Sequence, residues 1–475
     1  MNYEILNKSS IRENTKYVKE KPEKILLTSD YTLVDRINIS SPSDWGLYPF
    51  ITGNGSDLDP YIIENIEIQG SGVKTIEESG HSRLNYSDIG IYINAEGNFT
   101  IRNCKISSIS NGILLGIGVS TGYTHNINNV EINNCGIGIY NWFWNIAVNV
   151  SKCNISNCNW VTVIAPYDFE HPTVYGGYGI YISGGSGSIV ECCRIQNCSI
   201  GLLASHTVSL ISNQLINCGF LFDFAYISQI SLVNNTVNGK SIGLFFNEDN
   251  LIISGSQASQ YGQLIFTLCH NLHLSNIDIT EPCSFGLLID HCDNAILQNI
   301  VCENQKIGFF ILHTKIQADN LNAKNCDVGF YLSEIASGLY YSTMTRLFTN
   351  NTYIPIFAIS PIDNFTIEIE KSTRFYLVDL FGYDSLQLNS SVSSFILSPS
   401  FIPALDVEGF LIQLNDTYTY RVTDPHPEII DIDFTIVIFQ EAQPSAIPGF
   451  PLVWFHSAIL LGIIISSVYL RWKKR

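Results

Sequence analysis

The chain has 475 residues, of which 46% are hydrophobic and 14% charged, so it can bury a large core, and a disordered chain is excluded. Acidic residues number 43 against 25 basic, giving a formal charge of −18. No basic stripe lies outside the last five residues, which argues against nucleic acid as a partner. The acidic excess suits a soluble extracellular surface and could attract cations.

Residues 1–30 carry repeated Lys and Glu with no apolar h-region, so no signal peptide is visible there. Two explanations stay open: a true start further upstream, or a tail-anchored protein with its bulk in the cytosol. The second would send a basic tail across the membrane. Sequons at Asn38, Asn54, Asn85, Asn98, Asn149, Asn234, Asn364 and Asn415 favour an external protein. Residues 1–45, mixed and polar, are expected to cap a sheet edge.

From residue 46 to 340 the chain repeats itself. Gly followed by apolar residues recurs at Gly90, Gly112, Gly138, Gly179, Gly201, Gly243, Gly286, Gly308 and Gly329, mostly 21 to 23 residues apart or about twice that. Four residues before the Gly stands Asn: Asn134, Asn197, Asn304 and Asn325. Asn157 and Asn217 keep the place where the Gly is lost. An apolar or small residue, such as Ile132, Ile155 or Ile195, precedes each Asn by two. Cys often follows, as at Cys135, Cys158, Cys198, Cys218 and Cys326.

Runs of three to six residues with period-two alternation are strands, and none can bury its apolar side alone. Stacked coils of three strands solve this, because each coil pairs with the next at a rise of about 4.8 Å and like side chains form ladders. Roughly a dozen coils would make a rod about 60 Å long. The Asn amides are expected to bond coil to coil in left-handed turns, and Gly is expected where the chain bends sharply. On this reading Asn197, although it begins a sequon, lies inward and carries no glycan. The 13 cysteines are an odd number in one recurring context, which favours stacked thiols over a disulfide framework.

One loop interrupts the coils at 165–177, bearing Asp168, Glu170 and His171, and insertions in solenoids tend to gather on the binding face. A second irregular stretch spans 70–88. After residue 340 the period is lost, and alternating runs broken by Pro, Asn and Ser over 341–442 read as a small β-sandwich or stalk.

Residues 443–475 form a linker and an anchor. No charged residue occurs from Phe450 to Leu470, a stretch long enough to span the roughly 30 Å hydrocarbon core as one helix. Trp454, Phe455, Tyr469 and Trp472 match the aromatic belts. The tail Arg471-Trp472-Lys473-Lys474-Arg475 is cytoplasmic by the positive-inside rule, which leaves the bulk of the chain outside the cell.

These residues carry two resemblances. Asn-Gly-Ser-Asp-Leu-Asp-Pro-Tyr-Ile-Ile-Glu-Asn at 54–65, with the Asn-Cys…Gly-Ile coils, resembles the periplasmic copper-binding type of β-helix repeat protein and the broader pectate-lyase-like superfamily. The likeness covers roughly 45–340 and implies a right-handed parallel β-helix without fixing an activity. Pro448-Gly449-Phe450 ahead of the apolar span resembles the C-terminal sorting signals of archaeal surface proteins. That likeness implies cleavage near the tripeptide and lipid attachment, the alternative being a plain anchor.

The fold class expected is therefore all-β: a three-sheet right-handed parallel β-helix, a small β-sandwich and one C-terminal transmembrane helix. Sugar-active β-helices use carboxylates, an Arg or Lys base, or bound calcium. Here Arg102, Lys105, Lys152, Arg194, Lys240 and Lys306 share no column. The best acid–base cluster is Asp168, Glu170 and His171, joined by Asp290, His291 and Asp293 some coils away. Dispersed histidines (His206, His270, His273, His291, His313) and only two Met argue against copper. No cofactor is expected; calcium enters only if the chain is an enzyme.

Two readings follow. The first is a membrane-anchored, non-enzymatic surface scaffold binding glycans or a surface protein, with Trp142, Phe143, Trp144 and Trp160 as candidate sugar platforms. The second is a polysaccharide lyase, epimerase or hydrolase at the groove near 165–177.

Overall fold

The computed structural model describes residues 31–78, 81–84, 88–116, 119, 122–123, 125–141, 146–159, 162–163, 174–175, 177–333 and 342–352, and beyond these the strands between 354 and 439. The strands stack in parallel into a β-helix of about 10 turns with three faces.

In the first segment one face holds Ile66–Gln69, Lys105–Ser107, Glu131–Asn133, Asn154–Ser156, Arg194–Gln196 and Gln214–Ile216, each in register with the next. The middle residue of each three-residue strand points inward, so Ile106, Ile132, Ile155, Ile195 and Leu215 stack as one buried column. Most of their neighbours are polar and at least partly exposed, which is why three residues suffice for a rung. A second face carries the Gly-Ile strands, among them Ile89–Ile93, Asn111–Leu115 and Ile137–Asn141. The third face includes Phe99–Arg102, His125–Asn128 and Val148–Ser151. Tyr178–Glu191 and Ile200–Ile211 are longer because they run round the corner from the second face to the third.

The recurring glycines do not sit at sharp bends, contrary to the expectation from sequence. They lie within strands, outside the left-handed region, and the reason for Gly is the next coil. A Cβ on Gly112 would meet Gly138 O at 2.5 Å, one on Gly138 would meet Gly179 O at 2.3 Å, and one on Gly179 would meet Gly201 O at 2.6 Å. The column is a line of backbone approaches too close for any side chain.

Asn occupies the corners. Asn134, Asn157, Asn197, Asn217, Asn304 and Asn325 have φ between 50 and 61°, the left-handed conformation that Asn tolerates. Asn217 Nδ2 donates to Asn197 Oδ1 at 2.9 Å, Asn197 Nδ2 to Asn157 Oδ1 at 3.3 Å, and Asn325 Nδ2 to Asn304 Oδ1 at 3.4 Å. A further corner ladder runs Asn320 to Asn299 to Asn276. One expectation is corrected: Asn197 faces solvent, and the inward position at that corner belongs to the following Cys198. A side chain in a left-handed turn is thrown outward, and the next one swings in.

The parallel stack is interrupted after Val237. Asn238-Gly239, both at positive φ, turn the chain so that Thr236–Val237 pairs antiparallel with the start of Lys240–Phe246. Beyond this hairpin a second segment of parallel rungs begins, with Tyr261–Thr267, Phe285–Asp290, Ile307–Leu312 and Val328–Ser333 on one sheet. The Gln263 side chain bridges the joint, accepting from Phe220 N–H and donating to Phe220 O, both at 2.8 Å. It replaces the rung that the reversal removes.

The strands past residue 340 do not start a separate sheet. Ser342–Asn350, Ile354–Ile359, Phe365–Glu370 and Arg374–Val378 continue the second segment in parallel, and Ile432–Phe439 joins them. Antiparallel strands, Ile396–Ile402, Val407–Gln413 and Tyr418–Thr423 among them, then pair onto these edges. The sandwich expected at 341–442 is thus replaced, among the described strands, by more coils with antiparallel additions. Loss of the Asn-Cys…Gly signature hid this, because pairing needs only strands of matching length.

Candidate functional site

At several described corners that follow a Gly strand the chain turns through one left-handed residue. In the second segment these residues are Asn247, Leu268, His291 and His313, at φ 55, 54, 48 and 43°. The strand ahead of His291 ends on Asp290, whose side chain is 1% exposed. His291 Nδ1 lies 2.7 Å from Asp290 Oδ2, and His313 Nδ1, one coil on, lies 2.9 Å from Asp290 Oδ1. The two imidazoles stack with centroids 4.2 Å apart and planes 24° from parallel. Burial alone would raise the Asp290 carboxyl. Hydrogen bonds from His291 and His313, and their charge, outweigh that and hold it below its ordinary value.

His291 is half exposed and His313 one-fifth exposed, so the cluster opens to solvent. Beside it His270 Nδ1 lies 3.2 Å from Asp293 Oδ2, and Asp249, His270 and Asp293 are joined by bridges of successive coils. The corner is therefore acidic and histidine-rich.

The expectation that the histidines are dispersed is corrected here, because His291 and His313 occupy one corner column. The signal was in the repeat phase. His206, His291 and His313 each follow a repeat Gly (Gly201, Gly286, Gly308) by five residues, which puts each at the same corner. At the first of these, Ser205 Oγ donates to Asp223 Oδ2 at 2.8 Å, with His206 Nδ1 2.7 Å from the same Oγ, while His206 stacks on Tyr226. The serine proton goes to the carboxylate, so the imidazole does not activate that hydroxyl as in a nucleophilic triad.

Asp168, Glu170 and His171 lie outside the described residues, as do Trp142, Phe143, Trp144, Trp160 and the segment Pro448, Gly449, Phe450 with the apolar span after it. Among the described residues no helix is long and apolar enough to cross a membrane. Several scattered basic residues pair along or across the coils: Arg102 with Glu64 at 2.7 Å, Lys306 with Asp327 at 3.2 Å and Lys240 with Glu281 at 3.7 Å.

All 13 cysteines are free thiols, and only Cys192, itself at φ 53°, is exposed. Buried thiols cap carbonyls, as where Cys104 Sγ donates to Arg102 O and Cys326 Sγ to Lys324 O. Burial pushes Cys104 and Cys135 up to about 12, and Cys283 and Cys326 up to about 11. A hydrogen bond with Cys292 lowers Cys269 to about 7 and raises Cys292, while burial opposes ionisation of both. The thiols with raised values are packing groups rather than nucleophiles, and Cys269 is fully buried.

Comparison with known proteins agrees with the fold. The family described as right handed beta helix region matches residues 89–246, ending just past that interruption of the stack. A solved structure, the crystal structure of Dettilon tailspike protein (gp208), is 10% identical, covers 70% of this chain and 72% of its own, and gives a TM-score of 0.17. At that score nothing about this chain follows from the likeness. Among curated proteins nothing matches. The match over residues 89–246 and the parallel stacking of the strands agree on a β-helix fold.

Proposed function

We propose that the protein is a membrane-anchored cell-surface scaffold, without catalysis of its own, whose long solenoid displays binding surfaces for glycans or for another surface protein. The observation that carries this reading is the use of side chains along the stack. Asn, Gly and Cys columns bind coil to coil, and several charged residues pair along or across coils, which builds a stiff rod for display. The uncharged stretch from Phe450 to Leu470 and the basic tail support a single-pass anchor, with the bulk of the chain outside and the tail in the cytoplasm. Pro448-Gly449-Phe450 supports processing at that anchor. Sequons along the coils agree with an external face.

The test uses the full chain in detergent on a glycan array and with uronate polymers as substrates. Binding without turnover is expected. Turnover that is lost in Asp168→Asn or His171→Ala would overturn the scaffold reading in favour of an enzyme at 165–177. Absence of any glycan or surface-protein binding would overturn it as well.

A further inference from the structure

A carboxylate taken out of water is costly unless its charge is met, and Asp290 is almost fully buried at a corner where two side chains meet it. Both are imidazoles, and they come from adjacent coils. Each sits at positive φ, where Asn serves at most other corners, so ring chemistry is retained at a turn that another residue suits better. The two rings stack with centroids 4.2 Å apart.

One His nitrogen from each ring and an Asp290 oxygen lie within 4.8 Å of one another. Metal bonds of about 2.0–2.1 Å at tetrahedral angles separate ligand atoms by roughly 3.3 Å. The rings approach different oxygens, His291 Nδ1 to Oδ2 at 2.7 Å and His313 Nδ1 to Oδ1 at 2.9 Å, so an ion between them meets the carboxylate through both oxygens once each separation opens by about half an ångström. The exposed edge of His291 gives an ion a way in. The adjoining Asp249 and Asp293, and the acidic chain as a whole, raise the local cation concentration.

We propose that Asp290, His291 and His313 form a binding site for a divalent transition-metal ion of the zinc class, two imidazoles and one carboxylate matching that ion's preference. The ion clamps two successive coils of the second segment. This goes beyond the scaffold reading, and its failure would leave glycan binding untouched.

The full chain, stripped with chelator, is titrated with Zn2+ by calorimetry near neutral pH and with Co2+ by absorption. One ion per chain is expected, with a Co2+ spectrum typical of four-coordinate nitrogen and oxygen ligation. His291→Asn and His313→Asn keep a residue that tolerates each turn and can still donate to Asp290, and circular dichroism checks that each variant is folded. Each is expected to weaken Zn2+ binding ~10-fold or more, whereas His270→Asn and Cys192→Ser leave it unchanged. Zn2+ should raise the melting temperature of the wild type and not that of the double variant His291→Asn/His313→Asn. The proposal is overturned if folded wild type takes up no Zn2+, if the variants bind as the wild type does, or if Co2+ shows a thiolate charge-transfer band.

Discussion

Replacing Gly138 by Ala adds one methyl group at the tightest backbone approach of the repeat-glycine column. The new carbon would stand 2.3 Å from Gly179 O and 2.9 Å from Ile155 Cγ2, and the nearer atom is backbone, which cannot rotate away. Relief needs about 1 Å of extra separation between rungs, which stretches neighbouring bonds such as Asn134 N–H to Ser156 O at 3.1 Å. Overpacking of this kind costs about 1–3 kcal/mol, and the rigid neighbour places this case at the upper end. Melting should fall by roughly 2–4 °C per kcal/mol. Thermal unfolding by circular dichroism measures it, with Gly46→Ala as control, since nothing lies within 4 Å of a Cβ there and its φ is ordinary. If Gly138→Ala melted together with Gly46→Ala, the close stacking of coils through the glycine column would be refuted.

Four further outcomes are expected. Native protein should react rapidly with a thiol reagent at Cys192 alone, and all 13 thiols should react after unfolding; several fast native thiols would contradict the buried columns. Gln263→Leu should destabilise by about 2 kcal/mol or more, since it strands the Phe220 N–H and C=O, and an unchanged urea midpoint would speak against the bridging role. Burial opposes the Asp88 charge, but hydrogen bonds from Ser110 and Lys74 and the charge of Arg36 hold its carboxyl below the usual range. A depressed carboxyl contributes stability that is present above about pH 3.9 and is lost as pH falls through the folded value. The melting gap between wild type and Asp88→Asn should therefore close in acid; a gap independent of pH would be the wrong result. Mass spectrometry should find Asn197 unglycosylated, because its amide nitrogen donates to Asn157 and a sugar there would push neighbouring rungs apart.

Much of the fold was legible because parallel stacking sets like residue over like, so the phase of Asn, Cys and Gly in the sequence is the geometry of the coil. Reasons were harder to read than positions. Gly138 was expected at a bend and sits in a strand, since sequence shows that a side chain is absent without showing what would collide with it. Asn197 was placed inward and faces out, because the handedness of a single turn residue decides which neighbour is buried. The interruption after Val237 did have a signal, Asn238-Gly239, the commonest hairpin dipeptide, but it was submerged in a repeat already rich in both residues. His291 and His313 looked scattered because 22 residues separate them in the chain, and only the shared offset of five from Gly286 and Gly308 puts them in one column.

The stack itself is tested most directly by one spin-label distance. Glu67 and Gln214 lie on the same face, five rungs apart through Lys105, Glu131, Asn154 and Arg194. With Cys192→Ser removing the exposed thiol, labels at Glu67→Cys and Gln214→Cys can be read by pulsed electron resonance. Five rises of about 4.8 Å predict a narrow distribution centred near 24 Å, widened by the label arms. A broad distribution, or one centred beyond about 40 Å, would mean that these segments do not climb a common axis one coil at a time.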